Sequence, residues 1–495
     1  MMMNRLNRDN VSRSNKNVTL PSYDLANCTQ NIIVHLGVGA FHRAHQALYT
    51  EKLAQLGECW SIIGASLRSD SVQQQLTPQD FLYTVVEREN ETNHYQVVQS
   101  IQNVLVAPQQ SQALLDAMSD AHCKIISLTI TEKGYCHNPA TGQLNSQHPD
   151  ILHDLKNPLH PRSAPGFMVQ ALKIRYQNKL PGLSILSCDN LPNNGELTRS
   201  VILELATLLD TKLAQWIEQN VSFPSSMVDR IVPATQPEDR EKLSQDLNYQ
   251  DDAMVVCEPF SMWVIEDNFV QGRPAWGKVG ATFVNQVHAF ENMKLRLLNG
   301  SHSAIAYLGF LAGYQTVAQV MTDPALVTFI RYLMDKEVTP SIIAPPQIDL
   351  SQYKQQLLQR FSNRALNHGT AQIAMDGSQK LPQRILRPLQ SQLQAGGSID
   401  GLCLVVAAWI RYSQAMDENG KPYQLNDPMA GVIENIHRTH AENIQKMVNA
   451  MLSLTDIFPQ QLSNNLQFST TVSRYLEQLI QQGVKSTLAE FSKCH

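Results

Sequence analysis

The β-branched run Ile32-Ile33-Val34-His35-Leu36 is followed at once by Gly37-Val38-Gly39, and Phe41 to Leu56 then reads as a helix closed by Gly57. Strand, glycine turn and helix in this order open a dinucleotide-binding fold, in which N–H groups at the helix start face a pyrophosphate. Gly37, Val38, Gly39, Ala40 and Phe41 are therefore the candidate coenzyme residues. The pattern is incomplete, because the third glycine of GxGxxG falls at position 42 and His42 stands there. A second strand, Ser61 to Leu67, should close with the acid that accepts hydrogen bonds from the adenosine ribose. Arg68 and Ser69 come first, and Asp70 follows. Asp70 suits NAD, whereas Arg68 suits the 2′-phosphate of NADP, and the residues alone leave both open.

Phe81 to Glu87 and Tyr95 to Ile101 are expected to pair as strands around a turn at Asn90 to Asn93. Ile125 to Ile130 and Leu183 to Ser187 are buried-strand candidates that end at Thr131-Glu132-Lys133-Gly134 and Cys188-Asp189-Asn190. Ligand groups in open α/β sheets cluster past the carboxyl ends of strands, which singles out Asn190 and Lys133. Asn190 also fits a turn ahead of an expected helix at Asn194 to Leu209. Met227 to Val232 and Met254 to Cys257 are further strands. Asp229 lies inside the first of these, where an acid is usually paired, and Arg230 would point to the opposite face.

From about residue 284 long helical periodicity takes over. Helices are expected at Leu308 to Ala318, Ala325 to Met334, Gln355 to Phe361, Gly401 to Gln414, Ala430 to Leu452 and Thr470 to Gly483. The architecture expected is a mobile tail at 1–30, an α/β Rossmann-type N-terminal domain at 31–283, and a mostly α-helical C-terminal domain at 284–495.

Within the helical part, Glu291 to His302 places Lys294, Asn299 and His302 at spacings of five and three. Asn299 and His302 are surface neighbours on a helix. Lys294 and Asn299 lie roughly 140° apart at about 100° per residue, so convergence needs a bend, expected at Gly300. Free lysine, with a pKa of about 10.4, is a poor base at neutral pH; burial would bring it into range. Asn190 and Asn299 can each donate an amide N–H to an oxygen that is alkoxide in one direction and carbonyl in the other. His302 can hold a neighbouring hydroxyl. Glu291, three residues before Lys294, can pass the proton to water. A metal site at His42 and His45, with His35, is a competing reading, although no HExxH or carboxylate-flanked cluster accompanies it.

A net charge of -5 gives no electrostatic case for nucleic acid or anionic membrane. No apolar run approaches the roughly 20 residues that span a bilayer, and the first seventeen residues lack a signal-peptide core. The eight scattered cysteines form no CxxC pair, so reduced thiols in a cytoplasmic protein are expected.

Lys294-x4-Asn299-x2-His302 resembles the signature of the polyol-specific long-chain dehydrogenases, the mannitol dehydrogenase family. The likeness extends through Ile33 to Gln46, Thr131 to Cys136, Ser187 to Asn190, Met227 to Pro233, Trp263 to Phe269 and Met375 to Arg384. It implies a metal-independent, NAD-dependent enzyme acting on a sugar acid or polyol. Lys294 would be its general acid/base, Asn190 and Asn299 would polarise the carbonyl, and His302 would hold substrate. Asp229 and Lys380 would complete the substrate site. A substrate carboxylate would need a buried cation, for which Lys380, Arg384 and Arg43 are the candidates.

Overall fold

Five short apolar runs form one wholly parallel sheet in the order Ile101–Val106, Ser61–Ser66, Ile32–Leu36, Cys123–Leu128 and Ser184–Ser187. Numbered along the chain this is 3-2-1-4-5, the doubly wound order, which reverses between Ile32–Leu36 and Cys123–Leu128. Alternation along each strand explains why the runs are continuously apolar. Ile33 and Ile125 pack with Ala44, Leu48 and Leu53 on one face. Val34 and Ile126 pack with Phe167, Leu172, Ile202 and Leu205 on the other. With both faces of the central strands covered, their polar side chains His35 and Ser127 are buried and bond each other, and the exposed Asn103 lies on the edge strand Ile101–Val106.

The computed structural model describes residues 4–11, 18–139 and 141–495, and the chain divides into two units, Met1–His288 and Ala289–His495. The first unit holds two more sheets. In one, Val18–Thr19, Thr92–Val98, Tyr83–Glu89 and Val255–Cys257 lie side by side; in the other, Thr282–Val284, Met262–Glu266 and Ser226–Asp229. The expected hairpin is present, antiparallel, with Asn90 left-handed at φ 51°.

The N-terminal tail departs from expectation. Residues 1–3 and 12–17 lie outside the described residues, but Leu6 is buried in an apolar cluster with Leu243 and Tyr249. Val18 and Thr19 pair with Tyr95 and Gln96, closing an otherwise open sheet edge. The cysteines need a correction too. Cys28 and Cys59 are joined in a disulfide with Cα atoms 4.9 Å apart. They precede Ile32–Leu36 and Ser61–Ser66, and parallel pairing of these strands brings their starting ends together.

Tyr23 also ties the tail to the fold: its hydroxyl donates to the Glu51 carboxylate (2.8 Å), which accepts the Gln99 N–H as well (2.8 Å). Burial pushes the Glu51 carboxyl up to about 7. The native pKa thus exceeds that of the unfolded chain, about 4.3. Its contribution to stability is complete below the unfolded value and is lost as pH rises through about 7. Glu51→Gln should therefore gain in Tm relative to the wild type between pH 5 and pH 8. A Tm difference that stays constant across that range would show that Glu51 does not titrate there.

In the second unit Gly300–Leu311 is buried almost throughout and packs on Thr370–Ala374 and Asp400–Tyr412; the latter lies along Leu466–Cys494. Several expected helices have other bounds. The run expected at Leu308 to Ala318 ends at Leu311, with Gly313 at φ 87°, and resumes at Val317–Val320 behind a Thr316 and Gln319 capping box. Ala430 to Leu452 is two helices, Ala430–Thr439 and Ile444–Leu452, because Asn443 caps the second. Leu466–Cys494 loses helical geometry at Gly483 (φ 76°), where the Glu418 carboxylate takes the Val484 N–H.

Candidate active site

Gly37 sits at the topological switch point with φ 99°. A Cβ there would lie 2.1 Å from the Thr129 carbonyl oxygen, so both conformation and space require glycine. The turn is held from three sides: Gly37 N–H donates to Ala65 O (2.8 Å), Gly39 N–H to Gly37 O (2.7 Å), and Thr129 Oγ1 to Gly37 O (2.6 Å). Ala40–Ala44 begins a helix directly after Gly39. A bare backbone turn opening a helix at the carboxyl end of a central strand is the environment a pyrophosphate needs, and these residues fit a dinucleotide.

His42, standing for the third glycine, is buried and stacks on His35 with ring centroids 3.4 Å apart. The helix expected from Phe41 to Leu56 breaks at His45 (φ −126°, ψ −96°), whose ring sits among Phe41, Tyr49 and Trp263. His35 meets Ser127 Oγ through Nδ1 (2.8 Å) and Thr129 Oγ1 through Nε2 (2.9 Å). Burial lowers its pKa to about 3, so it is neutral. With both nitrogens engaged, His35 offers no third ligand to His42 and His45. Among the described residues no group of three or more His, Cys, Asp or Glu is placed to hold a metal ion. The histidine metal reading is withdrawn.

Past the strand ends, Lys133 and Asn190 are exposed, as is Arg68; Asp70 is half-buried and accepts from Gln74 Nε2 (2.9 Å). Asp229 is buried at the last position of Ser226–Asp229. Arg230 is buried as well, paired with Glu87 at 2.6 Å. Arg43 is excluded as a substrate cation: its guanidinium donates to Ala253 O and Gly39 O beneath the coenzyme turn and lies over the Tyr83 ring.

The sequence reading missed Asp189. Its buried carboxylate accepts from Ile130 N (3.0 Å), Thr131 N (2.8 Å) and the Tyr135 hydroxyl (2.7 Å). Asp189, next to Asn190 in sequence, thereby holds Thr131 at φ 63°, a costly conformation for a β-branched residue. An acid directly after a buried strand was the available signal.

The α-helix His288–Met293, which leads into the second unit, passes into a π-helix, Lys294–Asn299, and returns to α-helix at Gly300. The bend expected at Gly300 is absent, since its φ and ψ are −62° and −48°. Its N–H instead reaches back five residues to Leu295 O. The wider i→i+5 turn brings residues five apart nearer one face, so Lys294 and Asn299 approach each other without a kink. Gly300 has a different task. A Cβ there would stand 3.0 Å from the Arg384 carbonyl oxygen, so glycine lets the π-helical Pro382–Leu386 pack close.

Lys294, Asn299 and His302 are each 8% exposed. The His302 ring packs on Phe361 (4.6 Å) and edge-on to His368 (5.3 Å). Burial first, then the neighbouring His368, Arg360, Arg384 and Lys294, hold His302 well below the usual histidine range. A neutral imidazole has one donor and one acceptor, which suits a hydroxyl. Its buried Nε2 has no hydrogen-bond partner among the described residues. Glu291 lies half-buried just before Lys294. Lys380 Nζ donates to Ile373 O (3.2 Å) and Met375 O (2.5 Å); burial and then Arg384 pull it down to about 8. Arg360 and His368 had not been singled out from the sequence, because distance along the chain hides their approach to His302.

Residues 31–278 match the mannitol dehydrogenase Rossmann domain and residues 286–480 the mannitol dehydrogenase C-terminal domain. The chain is 45% identical over 481 residues to D-mannonate oxidoreductase of Escherichia coli, covering 96% of this chain and 98% of the relative. It is 37% identical over 483 residues to mannitol 2-dehydrogenase of Aspergillus fumigatus, covering 96% and 95%. The solved Pseudomonas fluorescens mannitol 2-dehydrogenase, a ternary complex with NAD and D-mannitol, superposes with a TM-score of 0.87 at 40% identity, covering 99% of both chains. No helix among the described residues is long and apolar enough to cross a membrane. Two domain matches in the family's order, over a Rossmann-type unit and a helical unit, lead to one conclusion: the chain belongs to the mannitol dehydrogenase family of oxidoreductases.

Proposed function

We propose that the protein is an NAD-dependent fructuronate reductase, interconverting D-mannonate and D-fructuronate without a metal. The observation that carries this reading is the positive field at His302, to which Arg360, Arg384 and Lys294 contribute. Such a field favours an anionic substrate, and a hexuronate brings a carboxylate where a neutral polyol does not. The 45% identity to a D-mannonate oxidoreductase supports the same choice.

Bound at the Gly37–Phe41 turn, the nicotinamide coenzyme supplies or accepts the hydride. Lys294 gives a proton to the substrate oxygen during reduction and takes it back during oxidation, and Glu291 relays it to water. Asn299 donates its amide N–H to that oxygen, and Asn190 keeps the same assignment. His302 holds the adjacent hydroxyl, and Asp229 and Lys380 complete the substrate contacts.

Mannitol 2-dehydrogenase activity is the second reading, favoured by the likeness to the Pseudomonas fluorescens enzyme. One assay decides between them. Purified protein with NADH should reduce D-fructuronate with a kcat/KM at least tenfold above those for D-tagaturonate and D-fructose. Faster turnover of D-fructose, with D-mannitol oxidised in reverse, would make it a mannitol dehydrogenase.

A further inference from the structure

Three cations were candidates to meet a substrate carboxylate, and the structure treats them differently. Arg43 is spent on Ala253 O and Gly39 O in the first unit. The Lys380 ammonium is turned onto two backbone carbonyls, those of Ile373 and Met375. Arg384 is left. Its Nη1 makes only long contacts, 3.5 Å to Asn299 O and 3.3 Å to Ser303 Oγ. Its Nε and Nη2 have no partner among the described residues, and no carboxylate there stands within ion-pair distance of it. Asp427, an acid of the neighbouring segment, is occupied by Ser378 N (2.8 Å), Ser378 Oγ (2.5 Å) and Met429 N (2.9 Å).

The two contacts that Arg384 does make place it. Asn299 O and Ser303 Oγ flank His302 in sequence, so the guanidinium lies along the stretch that presents Asn299 and His302. The buried, unpartnered Nε2 of His302 is an independent sign that a polar ligand belongs beside this stretch. Gly300 fixes the spacing, since any Cβ there would press on the Arg384 backbone.

We propose that Arg384 is the specificity-determining residue of the site, its free Nε and Nη2 edge forming the fork that takes the substrate's C1 or C6 carboxylate. This rests on the uronate reading above and adds to it which side chain enforces that reading. A guanidinium edge presents two parallel N–H donors matched to the two oxygens of a carboxylate. A terminal hydroxymethyl group, as in fructose, offers one oxygen and no charge, so it leaves the edge half-used.

The test is kcat/KM with NADH for D-fructuronate and for D-fructose, on the wild type, Arg384→Gln and Arg384→Lys, with Tm and NADH binding as checks on folding. Arg384→Gln should lose about 10²-fold or more on D-fructuronate, mostly through KM, while D-fructose changes by less than about threefold. Arg384→Lys should recover part of the loss, keeping charge without the fork. An equal loss on both substrates would overturn the proposal and leave Arg384 a brace for Asn299 and Ser303. Should Arg384→Gln not fold, Arg384→Lys carries the decision: an unchanged preference for D-fructuronate over D-fructose overturns it. A wild type that prefers D-fructose would defeat the uronate reading itself, an outcome separate from either variant's result.

Discussion

Lys294→Ala should lower turnover by about 10²–10⁴-fold, the range for a lost general acid/base, while the protein still folds and binds NADH. Lys294 is buried at the first position of the π-helix, one i→i+5 turn from Asn299. A neutral lysine is the base in the oxidative direction, so the wild-type oxidation rate should rise with pH through one ionisation. Carbonyl reduction needs the ammonium and should fall through a related one. Both dependences should vanish in Lys294→Ala, and a small primary amine should restore part of the rate by entering the space the side chain leaves. Wild-type turnover with an unchanged pH profile in the variant would reduce Lys294 to a buried helix residue and move the search to His302.

Gly37→Ala should be strongly damaging to the first unit. The added Cβ meets the Thr129 carbonyl at 2.1 Å in a φ of 99°, so the turn must open and release Thr129 Oγ1. The conformational part alone costs about 1–3 kcal/mol, and the clash adds to it. NADH affinity should fall at least tenfold alongside Tm. Gly57→Ala is the control: it shares a positive φ of 87°, but nothing lies within 4 Å of its Cβ, so only a modest Tm loss is expected. Fluorescence titration with NADH separates the two. If both variants bind coenzyme like the wild type, the Gly37 turn does not shape the coenzyme site.

Both features were legible in the sequence, for physical reasons that also mark where legibility stops. Ile32–Leu36 and Cys123–Leu128 are buried on both faces, so continuous apolar runs gave them away. Gly37 stood out because a tight turn from strand into helix demands a residue that tolerates positive φ. The Lys294, Asn299 and His302 spacing was visible, but its geometry was not. Periodicity at 3.6 residues has no way of seeing a π-turn, and the bend was wrongly assigned to Gly300. Arg43 and Arg384 look alike as letters. What separates them is which backbone carbonyls lie near, Ala253 O in one case and few in the other, and that depends on contacts across 210 residues of chain. The Cys28 and Cys59 bridge escaped for the same reason, since strand pairing rather than spacing joins them.

The turn from Lys294 to Asn299 amounts to an α-helix carrying one residue too many. Longer loops of hydrogen bonding hold their donors and acceptors less well, so the helix gives up stability to present lysine and amide together. Such a defect can be repaired by a single deletion. Removing one of the residues between Lys294 and Asn299 would let the helix run through in ordinary register, tightening the segment while leaving lysine and amide four residues apart as ordinary surface neighbours. A chain shortened in that way would be firmer, with lysine and amide still on one face but without the wider spacing of the π-turn. Selection for stability alone would move in that direction, so the extra residue persists only for as long as the chemistry needs it.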